Sequence, residues 1–161
     1  MRKLIIKKYH LNYSKNMHNG FDISKIKEFK SKLERISSKE VDRIYEDCAK
    51  ELAKRLLTKV IKRTPVGKEK GGTLRRGWTG GVKTNANSYA DSLKVKKSGN
   101  SYLVEITNPV EYASYVEYGH RTPDHKGWVN GRFFLRISED EIRASSSAIL
   151  EKKILKIFEE L

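Results

Sequence analysis

Cysteine and long apolar runs are both nearly missing from this sequence. Its 161 residues include one cysteine, Cys48, so no internal disulfide framework can form and a reducing compartment is expected. The N-terminal stretch MRKLIIKKYH has only three consecutive apolar residues between basic ones, too few for the core of a signal peptide or for a membrane span. A chain of this length can bury a sufficient core without disulfides or metals, so we expect a soluble protein with no membrane partner.

The motifs of common catalytic sites are missing as well. The chain contains no GlyXSerXGly, P-loop, dinucleotide fingerprint or HisGluXXHis. Glu111 and Glu117 are six positions apart, which on a helix would separate them by about 120° and suit no shared substrate. The weak metal-ligand candidates, spread over a predicted loop and the N-terminal segment, are His10, His18, His120, Asp124 and His125. We therefore expect no catalytic residue, no metal site and no cofactor.

Acidic residues are scarce in one part of the chain only. Lys and Arg number 34 against 20 Asp and Glu, a formal net charge of +14, and residues 1–100 hold 26 of the basic residues but only 10 of the acidic ones. Residues 101–161 hold 8 basic and 10 acidic residues, so this second part is near neutral. Within 54–97, thirteen basic residues are offset by two acidic ones. This basic stretch would attract polyanions or acidic partners, or it simply keeps a crowded surface solvated.

Nucleic-acid contact is one interpretation of the basic stretch. The candidate phosphate contacts are Lys62, Arg63, Lys68 and Lys70. Arg75 and Arg76 follow them, and Trp78 offers one stacking ring. No zinc finger, recognition-helix pattern or aromatic RNP strand accompanies these residues, so phosphate contact without base reading is the most that is expected. The alternative is that Trp78 packs under a long helix and the charges are solvated.

Helical periodicity is strongest after residue 37. Ser37 and Glu40 match a capping box, an apolar stripe follows at helical spacing, and Pro65 ends the pattern, so a helix is predicted over 38–63. The stripe contains Val41, Ile44, Cys48, Leu52, Leu56 and Val60, which makes Cys48 a core residue and not a nucleophile. A shorter helix is predicted within 22–36 with Ile26, Phe29, Leu33 and Ile36 at helical spacing. Residues 1–21 have polar, turn-prone composition and are predicted to be an N-terminal arm.

Alternating residues predict a small antiparallel sheet. Residues 92–97 and 102–106 alternate on either side of a turn at 98–100, and Trp78 and Val82 would lie in a preceding strand. Asn108, Pro109 and Gly119 bound a short helix, residues 120–132 are a predicted loop, and a closing helix is predicted over 132–161. The expected fold class is α+β: long helices packed on a small antiparallel β-sheet of three or four strands, with a C-terminal helix, in one domain over 22–161.

The stretch NPVEYASYVEYGHR, residues 108–121, is rich in rings for so short a helix. Tyr112 and Val116 are expected in the core. Tyr115, Tyr118 and His120 cannot all face one sheet from a helix of this length, so some aromatic surface is expected to be exposed. An exposed aromatic patch rimmed by charge is typical of a protein interface.

Three segments together resemble a known family. TPVGKEKGGTLRRGW at 64–78, NPVEYASYVEYGHR at 108–121 and GRFFLR at 131–136 are similar, in order and separation, to segments of the HK97-gp10-like proteins of tailed phages and prophages. The resemblance covers residues 22–161. The matching positions are Thr64, Pro65, Gly72, Leu74, Arg75, Tyr112, Ala113, Tyr115, Val116, Glu117, Gly119, Phe134, Leu135 and Arg136. The chain departs from the family pattern where GKEKG replaces an Asp before ThrGly and where HRTPDHKGWVNG lengthens the loop before the last helix.

The resemblance implies a structural virion protein of the neck, which joins head to tail or completes the tail. Such a protein would form a homo-oligomeric ring around the DNA path, with other neck and tail proteins as its partners. A basic pole facing the lumen would also touch the phosphates of passing double-stranded DNA, although a strongly attractive lumen would hinder DNA exit. No enzymatic activity or cofactor comes with the resemblance. The expected location is the head-tail neck region of the virion, with the host cytoplasm during assembly. The alternative function is an autonomous, sequence-independent nucleic-acid-binding protein.

A closed ring needs two different patches on each subunit, which meet around a rotation axis. The basic stretch 54–97 and the glutamate-bearing stretch 105–117 could supply unlike surfaces. The hypothesis is that Glu111 or Glu117 of one subunit pairs with Arg75 or Arg76 of the next. The predicted subunit interface consists of Arg75, Arg76, Glu111, Tyr115, Glu117, Tyr118, His120 and Arg121.

Overall fold

The computed structural model describes residues 31, 32, 34, 36–67 and 71–160. Its helices are α1 (Ser38–Arg63), α2 (Thr73–Gly77), α3 (Ala86–Ser92), α4 (Ala113–Tyr118) and α5 (Phe134–Glu159). Its strands are β1 (Val95–Ser98), β2 (Ser101–Val104), β3 (Gly119–Arg121) and β4 (Trp128–Asn130). The predicted arm 1–21, most of the predicted helix at 22–36, and Lys68 and Lys70 lie outside the described residues. The α+β fold class is confirmed.

The long helix α1 has the bounds that the sequence predicts. The hydroxyl of Ser37 accepts a hydrogen bond from the Glu40 amide at 3.3 Å, and the Ser37 amide donates to Oε2 of Glu40 at 2.7 Å. This reciprocal capping box satisfies donors that the first turn of a helix cannot satisfy itself. Thr64 is the C-terminal cap, directly before Pro65. The helix is therefore fixed at both ends by local chemistry.

The two long helices, α1 and α5, pack together over a single core. Leu57 and Val60 of α1 and Phe134 and Ile142 of α5 are each at most 2% exposed. Trp78 is 1% exposed and meets the Phe134 ring edge-on, with centroids 6.1 Å apart. The interpretation that Trp78 packs under a long helix is confirmed, and its role as a stacking ring for nucleic acid is wrong.

The β-structure differs from the predicted sheet of three or four strands. It consists of two separate antiparallel hairpins, β1–β2 and β3–β4, of two strands each. The first has the predicted turn, since Ser98 pairs with Ser101 and Gly99 adopts a φ of 57°. The second lies where residues 120–132 were predicted to be a loop. The hairpin β1–β2 is tied to α1 because Asp42 accepts hydrogen bonds from Lys97, at 2.7 Å, and from the Tyr102 hydroxyl.

The predicted strand through Trp78 and Val82 is wrong. Gly72, with a φ of 102°, occupies the N-cap position of the short helix α2, and residues 78–81 follow it as tight turns. Val82 is 60% exposed and does not belong to the core. The helix α3 was not predicted from the sequence, although the side chain of Asn85 caps it by accepting from the Ser88 amide at 2.9 Å.

The short helix α4 begins later than predicted. Asn108 uses its side chain for a turn instead of a helix cap: Oδ1 accepts from the Val110 amide at 3.2 Å and Nδ2 donates to the Leu74 carbonyl at 2.8 Å. The helix ends at Gly119 as predicted, with a φ of 87° there. The closing helix α5 is confirmed, and it runs unbroken through RASSSA, where the Ser145 hydroxyl donates to the Glu141 carbonyl at 2.7 Å.

No helix within the described ranges combines the length and the apolar character needed to cross a bilayer.

Candidate subunit interface

Arg75 caps the C-terminal end of α1. Its Nε and Nη2 donate to the Thr64 carbonyl oxygen at 3.2 and 2.7 Å. The Thr64 hydroxyl donates to the Val60 carbonyl at 2.6 Å and accepts from Nε1 of Trp78 at 2.8 Å. The last carbonyls of a helix have no partner within it, and a guanidinium brings both donors and a favourable charge to that end. Arg75 is therefore engaged within its own chain through Nε and Nη2.

Glu117 caps the N-terminal end of the closing helix α5. It is 1% exposed, and its two carboxylate oxygens accept from the amides of Leu135 and Arg136, each at 3.0 Å. The residue at the cap position, Phe133, makes no side-chain capping bond. Glu117 thus acts as an N-terminal cap from 18 positions away in sequence, where a negative charge also suits the helix dipole. The prediction that Glu117 pairs with an arginine of the next subunit does not hold, because the carboxylate is buried and occupied.

The family-like segments converge at this joint between α1, α4 and α5. Gly119 is required there: its φ is 87°, and an added Cβ would lie 2.4 Å from the Val129 carbonyl oxygen. Gly77 is equally confined, since its Cβ would lie 2.2 Å from Oδ1 of Asn108. Phe134 and Leu135, at the start of α5, are both buried. Much of the pattern that resembles the family therefore serves to join helix ends, and the interface must be found among the exposed residues.

The exposed apolar side chains concentrate around α4, the β3–β4 hairpin and the start of α5. Of the twelve large hydrophobic side chains exposed among the described residues, seven lie between residues 112 and 137. We call these seven the aromatic patch: Tyr112, Tyr115, Tyr118, Trp128, Val129, Phe133 and Ile137, with exposures of 38–59%. The prediction that Tyr112 lies in the core is wrong, since it is 46% exposed, whereas Val116 packs against the core.

Local contacts order the aromatic patch. The rings of Tyr115 and His120 meet edge-on with centroids 5.9 Å apart, and His120 pairs with Val129 across the hairpin. The pKa of the Tyr118 hydroxyl is raised, mainly by burial and secondly by the negative charge of the Glu117 carboxylate. Sequence reasoning found Tyr115 and Tyr118 but missed the hairpin members of the patch. A tryptophan and a valine adjacent to each other in the otherwise polar stretch HRTPDHKGWVNG were the available signal.

Several charged side chains of the predicted interface are at the surface. Arg76, Glu111 and Arg121 are exposed, and His120 is half-buried. Arg76 reaches the Thr73 hydroxyl at 3.4 Å, a weak contact within its own helix. Arg132 and Arg136 add exposed positive charge next to Phe133 and Ile137. The patch therefore has polar and mainly basic neighbours along the chain.

The candidate phosphate contacts separate into different environments. Lys62 is exposed on the last turn of α1. Arg63 instead ties α1 to α5, since it donates to the Ser138 hydroxyl at 3.1 Å and forms an ion pair with Glu141. Lys59 reaches the same carboxylate at 2.6 Å, and these two partners lower the pKa of Glu141. Of the two candidate phosphate contacts that the structure describes, Lys62 is thus the one whose charge is not paired with Glu141 and faces solvent.

The loop histidines do not gather around a metal position. Among the described residues, no group of three or more His, Cys, Asp or Glu side chains is placed to hold a metal ion. Asp124 accepts from the Thr122 hydroxyl and from the Lys126 amide at 3.2 Å, and these two bonds lower the pKa of its carboxyl. Asp124 therefore stabilises the turn between β3 and β4.

Comparison with known proteins agrees with the resemblance in the sequence. The model of the family described as "Bacteriophage HK97-gp10, putative tail-component" matches residues 27–119. That range is more than half of the chain and ends where the β3–β4 hairpin begins, so the segment GRFFLR lies beyond it. Nothing matches among curated proteins or among solved structures. The match identifies this chain as a member of the HK97-gp10-like family of bacteriophage tail components.

Proposed function

We propose that this protein is a ring-forming structural subunit at the head-proximal end of a phage tail, where it joins head to tail or completes the tail around the DNA path. The observation that carries the proposal is the aromatic patch on a member of a tail-component family. Soluble monomers rarely expose a large contiguous apolar surface, and tyrosine and tryptophan are enriched where proteins meet. The patch is therefore the surface through which we expect the subunit to contact its neighbours.

Ring closure requires a second, different surface on the same subunit. Arg76 and Glu111 are the exposed members of the charge pair that the sequence suggests, and we propose that Glu111 of one copy meets Arg76 of the next. Neither side chain caps a helix, in contrast to Arg75 and Glu117, so both can be exchanged for the opposite charge without disturbing the fold.

Deletion and complementation test this proposal. Phage carrying a deletion of the gene are expected to give particles without properly joined tails, and the wild-type gene should restore them. A double variant, Tyr115→Ser with Trp128→Ser, should fail to restore tails, because it removes two rings that are each 59% exposed. The control is Leu155→Ser, which removes an apolar side chain of similar exposure, 55%, outside the patch. Normal tails with the double variant would contradict the proposal.

Autonomous nucleic-acid binding is the alternative, and it predicts different behaviour. Free protein would bind DNA with an affinity that falls steeply with salt, without forming a ring. Two residues that would support this alternative are engaged within the fold, since Trp78 is buried and Arg63 is paired with Glu141.

Within the ring we propose a lesser role for Lys62, Lys68 and Lys70, as phosphate contacts for passing DNA. Exchanging Lys62 for glutamine should then leave ring assembly intact.

A further inference from the structure

An apolar groove lies beside the N-terminal half of α1. Tyr45, Cys48 and Leu52 line it from α1, Val104 and Ile106 from the end of the β1–β2 hairpin, and Leu150 from α5. At its edge, the rings of Tyr45 and Tyr102 stack with centroids 5.1 Å apart. Val41 of the apolar stripe of α1 and Tyr45, one turn further along the helix, are each 38% exposed. The packing of α5 and the hairpin thus leaves the stripe incompletely covered towards the start of α1.

We propose that the occupant of this groove is the chain's own segment 22–36, lying antiparallel to α1 as an amphipathic helix. Of its described residues, Ser31, Lys32 and Glu34 are helical, whereas Ile36 is not, and neither is Ser37, which follows the segment. A helix that breaks two residues before the next one begins is the arrangement of an αα-hairpin, in which a short link reverses the chain. The segment is tethered directly to the helix that borders the groove.

Length and apolar spacing fit this arrangement. The segment has 15 residues, as does the part of α1 from Ser38 to Leu52, and each spans about 22 Å at about 1.5 Å per residue. Folding back at residues 36 and 37 places Leu33 opposite Val41. The same register places Phe29 opposite Tyr45. One turn further, Ile26 comes opposite Cys48, so the three stripe members that precede the link each meet an apolar residue of α1.

Charge favours the same pairing. Residues 22–36 contain five basic and three acidic side chains, whereas residues 38–52 contain three basic and five acidic ones. The two 15-residue stretches therefore carry net charges of opposite sign, +2 and −2. Ser31 also agrees with the arrangement, because it is exposed and lies about 140° around a helix from Ile26.

Cys48 supplies a probe for the groove, since it is the only cysteine of the chain and lines the groove wall. In the full-length variant Ile26→Cys, mild oxidation should give an intrachain disulfide, detected as a monomer whose mass falls by two hydrogens and whose gel mobility changes without reductant. The matched variant Ser31→Cys places its thiol on the opposite face and should remain reduced under the same conditions. Equal oxidation of both variants, or none of Ile26→Cys, would overturn the proposal. A disulfide-linked dimer of Ile26→Cys would also overturn it, because a second copy would then fill the groove.

Alkylation of Cys48 in proteins without added cysteines gives an independent measurement. Burial raises the pKa of the Cys48 thiol, so its reaction with iodoacetamide is slow while the groove is covered. Phe29→Asp should displace the segment and speed the reaction by about tenfold or more, as local opening exposes the thiol. Lys27→Asp introduces the same carboxylate on the polar face and should react within about twofold of wild type. Equal rates for the two variants would refute the docking of the apolar face.

Discussion

Glu117→Ala is the substitution that most sharply separates a structural role of the family-like segment from an interface role. The carboxylate is 1% exposed and is the acceptor for the amides of Leu135 and Arg136. Removing it leaves two donors at the start of α5 without their acceptor, at about 1–3 kcal/mol for each buried unsatisfied group. Loss of a helix cap costs about 0.5–2 kcal/mol when measured directly, which overlaps the lower part of the range for one such group. For the two donors together we therefore expect the free energy of unfolding to fall by about 2–6 kcal/mol, a large share of the total of about 5–15 kcal/mol that is usual for a domain.

Urea denaturation followed by tryptophan fluorescence measures this loss. Trp128 is exposed, so a Trp128→Phe background leaves buried Trp78 to report on the joint at which α1 and α5 meet. Glu117→Gln keeps the shape and one acceptor oxygen, and it should lose about half as much stability as Glu117→Ala. Glu111→Ala is the control, because Glu111 is an exposed glutamate of the same segment and should change stability by no more than about 0.5 kcal/mol. The reasoning is refuted if Glu117→Ala and Glu111→Ala have the same effect on stability.

Three further substitutions test the same joint and its surroundings. Arg75→Ala should lower the free energy of unfolding by about 1–3 kcal/mol in urea, because the C-terminal end of α1 loses a charged donor, and Arg75→Lys should recover only part of it. Gly119→Ala should destabilise by about 2 kcal/mol or more in thermal unfolding, since its φ of 87° disfavours a side chain and no space remains for a Cβ. Lys59 and Arg63 lower the pKa of Glu141 from its ordinary value of 4.5, so the stabilisation is present above that pH and is lost as the pH falls through the lowered value. Thermal melts between about pH 6 and about pH 3 should therefore fall more steeply for wild type than for Glu141→Gln, and parallel curves would contradict this.

Local patterns in the sequence predicted the elements that local chemistry determines. The helix α1 could be placed because the capping box at Ser37 and Glu40, the apolar stripe and Pro65 all lie within or next to it. The turn at Gly99 and the end of α4 at Gly119 were predictable for the same reason, since a positive φ is a property of one residue. The fold class followed from these elements. The predicted order holds for α1, the β1–β2 hairpin, α4 and α5, whereas α2, α3 and the β3–β4 hairpin were not predicted.

Long-range contacts account for what the sequence did not predict. The carboxylate of Glu117 accepts from amides 18 and 19 positions away, and Arg75 donates to a carbonyl 11 positions away, so their spacing carries no periodic signal. Charge alone suggested that both were available to a neighbouring subunit. Trp78 was assigned to a strand by its apolar character, but it lies in the core just after the helix α2. The three-residue strands β3 and β4 are too short to show alternation.

A cryo-EM reconstruction of the head-proximal end of the tail in intact particles tests the central claim most directly. We predict a rotationally symmetric ring of this chain around the DNA path, in which Tyr115 and Trp128 are buried against a neighbouring copy or an adjoining tail protein. Density for the chain in which both rings face solvent would contradict the account. Particles that carry normal tails without this chain would contradict it equally.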